Sequence, residues 1–213
     1  MSRGLFISFE GGDGSGKTTQ FKLFAEYLRD KGFDVVVTRE PGGTRISEKI
    51  RSILLDPECT EMADKTEAFL FAASRAQHVD ELIRPSVEAG KIVLCDRFVD
   101  SSIVYQGFGR GLGDSVKAIN EYAVGGLYPD VTFLLDISPE EGRKRNGRTG
   151  KDDRLEKQSL EYHTMVFEGY RKLAAAEPER FIVIDASAGI DKVAADIAEA
   201  FEQRYPDLAA QRK

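Results

Sequence analysis

Short continuous apolar runs alternate along this chain with stretches in which apolar residues recur every three or four positions. Leu5-Phe6-Ile7-Ser8-Phe9 is a run of the first kind, and Phe21, Phe24, Ala25 and Leu28 follow as one face of a helix. Gly32 ends that helix, and Val35-Val36-Val37 is the next run. Residues 44–55 and about 63–89 read as helices; Gly90 closes the second, and Ile92-Val93-Leu94-Cys95 follows. Helical stretches around 101–106 and 114–124 lead to Val131-Thr132-Phe133-Leu134-Leu135, and Pro139 stands near the start of another helix. A long helix from about 155 carries Leu155, Tyr162, Val166, Tyr170 and Leu173. Phe181-Ile182-Val183-Ile184 is the last run, before a helix over 190–203.

The five β runs are apolar rather than alternating, as expected of strands covered on both faces. This order predicts an α/β fold of three layers, a five-stranded parallel sheet with helices on both sides. No repeat, low-complexity tract or linker interrupts it, so residues 1–213 are expected to form a single domain. Ligands in such sheets bind at the carboxyl ends of the strands. The segments of interest are therefore 10–18, 38–45, 96–106, 136–154 and 185–189.

Composition narrows the class. Among 213 residues, 41% are hydrophobic and 31% charged, ordinary for a globular enzyme. The net charge of −6 argues against a nucleic-acid partner, so any polyanion must be met by locally placed Arg and Lys. No apolar run approaches the ~20 residues of a membrane span. Met1-Ser2-Arg3 leads straight into a strand, without the pattern of a signal peptide. The two cysteines, Cys59 and Cys95, fit a reducing compartment, and a cytoplasmic location is expected.

Three segments carry chemistry. After the first strand, Gly11-Gly12-Asp13-Gly14-Ser15-Gly16-Lys17-Thr18 matches G-x-x-x-x-G-K-[ST] with a strand before and an amphipathic helix after. Its glycines let backbone N–H groups turn inward as an anion nest, and the helix N-terminus adds positive potential. Lys17 is expected on the β and γ phosphates of a nucleoside triphosphate, and the Thr18 hydroxyl on Mg²⁺. The third strand ends in Asp96-Arg97. The carboxylate is the second candidate Mg²⁺ ligand. A planar guanidinium beside it can hydrogen-bond two phosphates that otherwise repel each other. After the fourth strand, residues 143–154 hold six basic residues and two glycines. A charge run is usually a solvated face. This one lies at the ligand edge and is the densest positive cluster of an acidic chain. It is read as a lid whose Arg143, Arg145 or Arg148 reaches the transition state, where such contacts are worth on the order of 10³–10⁵ in rate.

No Ser-His-Asp constellation occurs, and His78 and His163, both away from strand ends, are read as structural. An acceptor that is itself a phosphate monoester removes the need for a base, because its second pKa is near ~6 and its oxygen is already ionised. The catalyst then has only to position two polyanions and neutralise charge.

Four segments together resemble the bacterial type of thymidylate (dTMP) kinase. They are Phe9 through Thr19, Thr38-Arg39-Glu40-Pro41-Gly42-Gly43-Thr44, Asp96-Arg97-Phe98 running on to Ser101–Gly107, and Asp153-Arg154-Leu155-Glu156. The resemblance spans nearly the whole chain. It implies transfer of the γ-phosphate of ATP to dTMP with Mg²⁺, and a homodimer. It implies that Asp13 also bonds the deoxyribose 3′-OH and that Phe71 stacks on thymine. Arg75, Ser102 and Gln106 would read the base, and Tyr105 would crowd a ribose 2′-OH. Arg51 and Arg97 would hold the acceptor phosphate. Glu40-Pro41 would line the acceptor pocket, with a cis proline peptide as one alternative, and Ala186–Gly189 would lie against adenine. On pattern alone Phe69 and Phe71 both read as core. Phe98 stands where many relatives have Tyr or His, and Ser102 where some have Asn or Thr. The cradle has no Arg, which the arginine-rich lid of the bacterial subtype offsets. Two other readings are a kinase for another nucleoside monophosphate and a regulatory nucleotide switch. Guanine switches carry Asn-Lys-x-Asp, which neither Asn120 nor Asn146 begins. A silent scaffold fits poorly with intact Lys17, Thr18, Asp96 and Arg97.

Overall fold

The computed structural model describes residues 3–146 and 159–210. Its strands are β1 (Phe6–Glu10), β2 (Val35–Arg39), β3 (Ile92–Asp96), β4 (Val131–Asp136) and β5 (Phe181–Asp185). They form one sheet in the order β2-β3-β1-β4-β5, and every neighbouring pair is parallel. The helices are α1 (Lys17–Asp30), α2 (Arg45–Leu55), α3 (Asp64–His78), α4 (Arg84–Glu88) and α5 (Val99–Ser102). After them come α6 (Asp114–Val124), α7 (Pro139–Asn146), α8 (Leu160–Ala176), α9 (Ile190–Arg204) and α10 (Pro206–Ala209).

Alternation along each strand sends side chains to the two faces of the sheet, where they join three core clusters. Ile7 and Phe9 of β1, Leu94 of β3 and Phe133 of β4 pack with Phe21, Phe24, Ile197 and Phe201 from α1 and α9. Phe6, Val93 and Cys95 turn the other way, onto Val79, Ile83, Val87 and Phe98. Leu134 joins Tyr162, Val166 and Tyr170 of α8. With both faces covered, the strands lose the polar alternation of a half-exposed sheet. The three layers and the five parallel strands are those expected from the sequence.

Two helices depart from their expected form. The stretch expected as one helix over 63–89 is α3 and α4 joined by a π-helical turn, Val79–Ile83. Pro85 explains it: a ring at this position cannot sit against a regular preceding turn. The Arg84 N–H donates to the Val79 carbonyl five residues back. A second π-helical turn, Ile103–Gly109, follows α5. The long helix expected from about 155 begins at Leu160 instead, where the Ser159 side chain caps it by accepting from the Tyr162 N–H at 3.2 Å. Leu155, Arg148 and the Asp153-Arg154-Leu155-Glu156 motif lie outside the described residues, as does most of the lid. Phe69 is 61% exposed rather than core, whereas Phe71 is buried. Two positions on an α-helix are separated by roughly 200°, so the two rings face opposite ways.

Candidate active site

At the carboxyl ends of β1, β2, β3 and β5 a cavity of about 850 Å³ runs from Ala186 and Ile190, past the cradle, to Phe71 and Gln106. Gly16 stands in the left-handed region at φ 86°, turning the chain from the cradle into α1. Gly14 has φ 75°, and a Cβ there would sit 2.1 Å from the Gly142 carbonyl oxygen of α7. The contact is reciprocal: a Cβ on Gly142 would sit 2.4 Å from the Asp13 carbonyl oxygen. Helix α7, which leads into the expected lid, thus lies backbone to backbone against the cradle.

Lys17 folds over the loop and donates from Nζ to the carbonyls of Gly11 and Gly12, each at 2.9 Å. Burial pushes its pKa down to about 8; the neighbouring Arg97 charge adds to the fall, while Asp13, Asp96 and Glu10 restrain it. Thr18 is exposed on the first turn of α1.

Arg97 is the one non-glycine residue with positive φ, 67°, among the described residues. Its Nη2 donates to Asp13 Oδ1 at 2.6 Å, and its Nη1 to the Gly11 carbonyl at 3.2 Å and Ser101 Oγ at 3.3 Å. The guanidinium lies 5.1 Å from the Tyr105 ring centre. Burial opposes the Asp13 charge, yet the cations of Arg97 and Lys17 hold its carboxyl below the usual carboxylate range.

The far end of the cavity is tightly tied. Arg75 is 1% exposed. It donates to Glu40 Oε2 at 2.8 Å, Ser102 Oγ at 3.0 Å, the Phe98 carbonyl at 3.0 Å and the Asn120 side-chain oxygen. Glu40 also meets His78 Nδ1 at 3.0 Å, and His78 Nε2 meets Thr38 Oγ1 at 2.7 Å. His78 is thus a buried bracket for Glu40, the structural place expected of it, and His163 is half-buried beside Tyr162. The Glu40–Pro41 peptide is cis. Arg51 Nη1 donates to the Pro41 carbonyl at 2.7 Å, and Gln106 Nε2 to Glu67 Oε1 at 2.8 Å.

The expected cradle residues Asp13–Thr18 line the cavity, as do all ten expected acceptor residues, Asp13, Glu40, Pro41, Arg51, Phe71, Arg75, Arg97, Ser102, Tyr105 and Gln106. The lid arginines divide. Arg143 is exposed and does not line the cavity. Arg145 lines it, but its guanidinium donates to the carbonyls of Ala186 at 2.8 Å and Ser187 at 3.0 Å. Two residues apart on α7, they cannot face the same side. Neither guanidinium points at the cradle as expected of a transition-state arginine.

Four buried side-chain polar atoms lack a hydrogen-bond partner among the described residues: Ser15 Oγ, Gln20 Oε1, Asp96 Oδ1 and the Tyr105 hydroxyl. All four residues line this one cavity. Buried polar groups are otherwise almost always satisfied, so the atoms left over mark where a polar ligand is received. Among the described residues, no group of three or more His, Cys, Asp or Glu could hold a metal by itself. Asp96 with its orphaned oxygen, and Thr18, fit a metal that takes its remaining ligands from a phosphate chain and water.

Glu10, Ser101 and Tyr170 have no role that motif or spacing predicts. Glu10 ends β1 fully buried, and burial, helped by the nearby Asp100 charge, pushes its pKa up to about 7 against the pull of its hydrogen bonds and Arg97. A carboxylate closing an apolar strand before the cradle was the available signal. Its partners come from segments 88 and 160 residues away, which spacing cannot reveal.

Comparison with known proteins agrees with this geometry. The family model described as thymidylate kinase matches residues 9–197. A thymidylate kinase of Geobacillus sp. (strain WCH70) is 52% identical over 205 residues, covering 94% of this chain and 98% of the relative. That of Symbiobacterium thermophilum is 53% identical over 204 residues, covering 95% of this chain and 94% of the relative. The crystal structure of thymidylate kinase from Ehrlichia chaffeensis superposes with a TM-score of 0.79 at 34% identity, covering 94% of this chain and all of the other. With a match of this length and identity laid over a cradle, an Asp-Arg pair and a second pocket in one cavity, this chain belongs to the thymidylate kinase family.

Proposed function

We propose that the chain transfers the γ-phosphate of ATP to dTMP, giving dTDP and ADP. The observation that carries this is the place of Arg97. Its guanidinium touches the cradle through Gly11 and Asp13 and the second pocket through Ser101, so it lies between donor and acceptor sites of a single cavity.

The cradle amides and Lys17 hold the β and γ phosphates. Arg97, with Arg51, holds the acceptor phosphate in line with the γ-phosphate. The acceptor oxygen is already ionised at neutral pH, so the protein supplies position and positive charge rather than a base. Thr18 and Asp96 would hold Mg²⁺, which when bound neutralises charge on the triphosphate. On the acceptor side Phe71 stacks on the base, and Arg75, Ser102 and Gln106 read its edge. Arg75 and Ser102 share a hydrogen bond and so present a fixed pair of polar groups. Asp13 takes the 3′-OH, and the Tyr105 ring occupies the space a 2′-OH would need. Ala186–Gly189 lies against the donor base. The lid, about 143–154, closes over the phosphates; its arginine for the transition state is one of Arg143, Arg145 and Arg148.

Exposed rings, Phe69 at 61% on α3 and Tyr122 at 92% on α6, support a homodimer through these adjoining helices, which sedimentation velocity would test. A cytoplasmic location fits a chain with only two cysteines, Cys59 and Cys95, and is checked by cell fractionation.

The deciding experiment couples ADP release to a panel of monophosphates with ATP and Mg²⁺. Turnover with dTMP should far exceed that with UMP, GMP or AMP. Replacing dTMP by dUMP should cost only about 1–3 kcal/mol, the worth of one methyl in a pocket. ATP hydrolysis that ignores the monophosphate would overturn the reading.

A further inference from the structure

Glu10 is a fully buried carboxylate with no part in the site as assigned above. Its Oε1 accepts from the Phe98 backbone N–H at 2.7 Å. Its Oε2 accepts from the Ser101 hydroxyl at 2.6 Å and the Tyr170 hydroxyl at 2.7 Å. Burying a carboxylate is costly unless it is hydrogen-bonded, and short charge-assisted bonds of this kind are its compensation. Two of the three donors sit within four residues of Arg97, on its own turn.

That turn is strained. A non-glycine residue at φ 67° costs roughly 1–3 kcal/mol and persists only where the surroundings over-determine it. The surroundings here do so from two sides. Glu10 binds the amide that directly follows Arg97. It also takes the Ser101 proton, which leaves the Ser101 lone pairs to face Arg97 Nη1 at 3.3 Å. From the other side, Arg180 grips Asp100 of the same short helix with two hydrogen bonds, at 2.6 and 2.8 Å. Glu10 itself is the last residue of β1, one position before the cradle. A single side chain thereby fixes Arg97 relative to the strand that carries the triphosphate loop.

We propose that Glu10 is a positioning residue for phosphoryl transfer: it latches the 97–101 turn to the end of β1 and so holds Arg97 in the left-handed conformation that aims its guanidinium between the two phosphates. This rests on the role proposed above for Arg97. It assigns Glu10 no contact with either nucleotide.

A double-mutant cycle separates positioning from a general contribution to folding. It compares kcat, at saturating ATP and dTMP, for the wild type, Glu10→Ala, Arg97→Ala and the double variant. A misplaced reacting group can cost on the order of 10² in rate. Glu10→Ala should lower kcat by about that factor while the KM for dTMP, set largely by the base pocket, moves less than about threefold. In the Arg97→Ala background the same change should cost less than about twofold. Losses that multiply, or a folded Glu10→Ala enzyme within threefold of wild-type kcat beside a crippled Arg97→Ala, overturn the latch and leave the kinase reading intact. A near-normal Arg97→Ala removes the Arg97 role and the latch together. If Glu10→Ala does not fold, Ser101→Ala carries the same cycle, because it cuts the link between Glu10 and Nη1. About tenfold is expected there, again with little further loss once Arg97 is gone, and independent losses overturn the proposal.

Discussion

At one end of the cavity Arg75 is buried and bonded to groups from three separate segments: Glu40, Phe98 with Ser102, and Asn120. At the other end Arg145 is exposed and meets two carbonyls of one loop, Ala186 and Ser187. Both are arginines lining the same pocket, yet they stand in opposite regimes. Removing a buried cation strands its anionic partner in the interior, whereas an exposed guanidinium can exchange its partners for water at little cost. The end proposed for the acceptor is therefore built before any ligand arrives. The end proposed for the donor is held by contacts a nucleotide can replace. Such a division suits a reaction that depends on geometry, because the strict demand, orientation of the acceptor, is met by the part of the site that cannot relax.

The contrast breaks most sharply on stability. Arg75→Met should cost about 3–5 kcal/mol, since Glu40 loses its buried counter-charge. At this chain length that is a fall in Tm of roughly 10 °C. Arg145→Ala should move Tm by less than about 2 °C. Calorimetry of the two variants checks both, and equal losses would erase the distinction between the two ends.

A smaller effect probes the seam between them. Gly142→Ala suits helix α7, but its Cβ would meet the Asp13 carbonyl oxygen at 2.4 Å. The gain in helix propensity, about 1 kcal/mol, should offset only part of that backbone displacement, so Tm should fall by a few degrees. The proposed lid would still start from a shifted position, and kcat should fall about tenfold by steady-state assay. Unchanged kcat would mean that the lid does not take its register from the cradle.

The mildest effect is on pH. Lys17 titrates near about 8 because burial disfavours its cation, so the charged form holds below that pH and is lost above it. The kcat/KM for ATP, which reports the free enzyme, should be about halved between pH 7 and pH 8 and should keep falling beyond. A profile level to pH 9 would show that Lys17 stays charged in the free enzyme.

Much of this molecule was legible as sequence. The five apolar runs, the helical faces between them and the cradle depend on neighbours within a few positions, where period and spacing carry the information. Phe71, Arg75, Ser102 and Gln106 were reached through resemblance, since nothing local separates them from core or surface positions. Phe69 shows that limit, reading as core by pattern and lying exposed in the fold. Arg145 shows another, because charge and place in the chain said lid, while its direction followed from which face of α7 the cradle covers.

The sequence by itself determined that a triphosphate loop follows a central strand and that an Asp-Arg pair ends another. Only the tertiary structure decided that Glu10, Phe98, Ser101 and Tyr170 close around the turn carrying Arg97. Hydrogen bonds across 88 and 160 residues leave no periodic trace along a chain. They form because parallel strands bring their carboxyl ends to one edge, and a carboxylate buried there must find its donors wherever the fold delivers them.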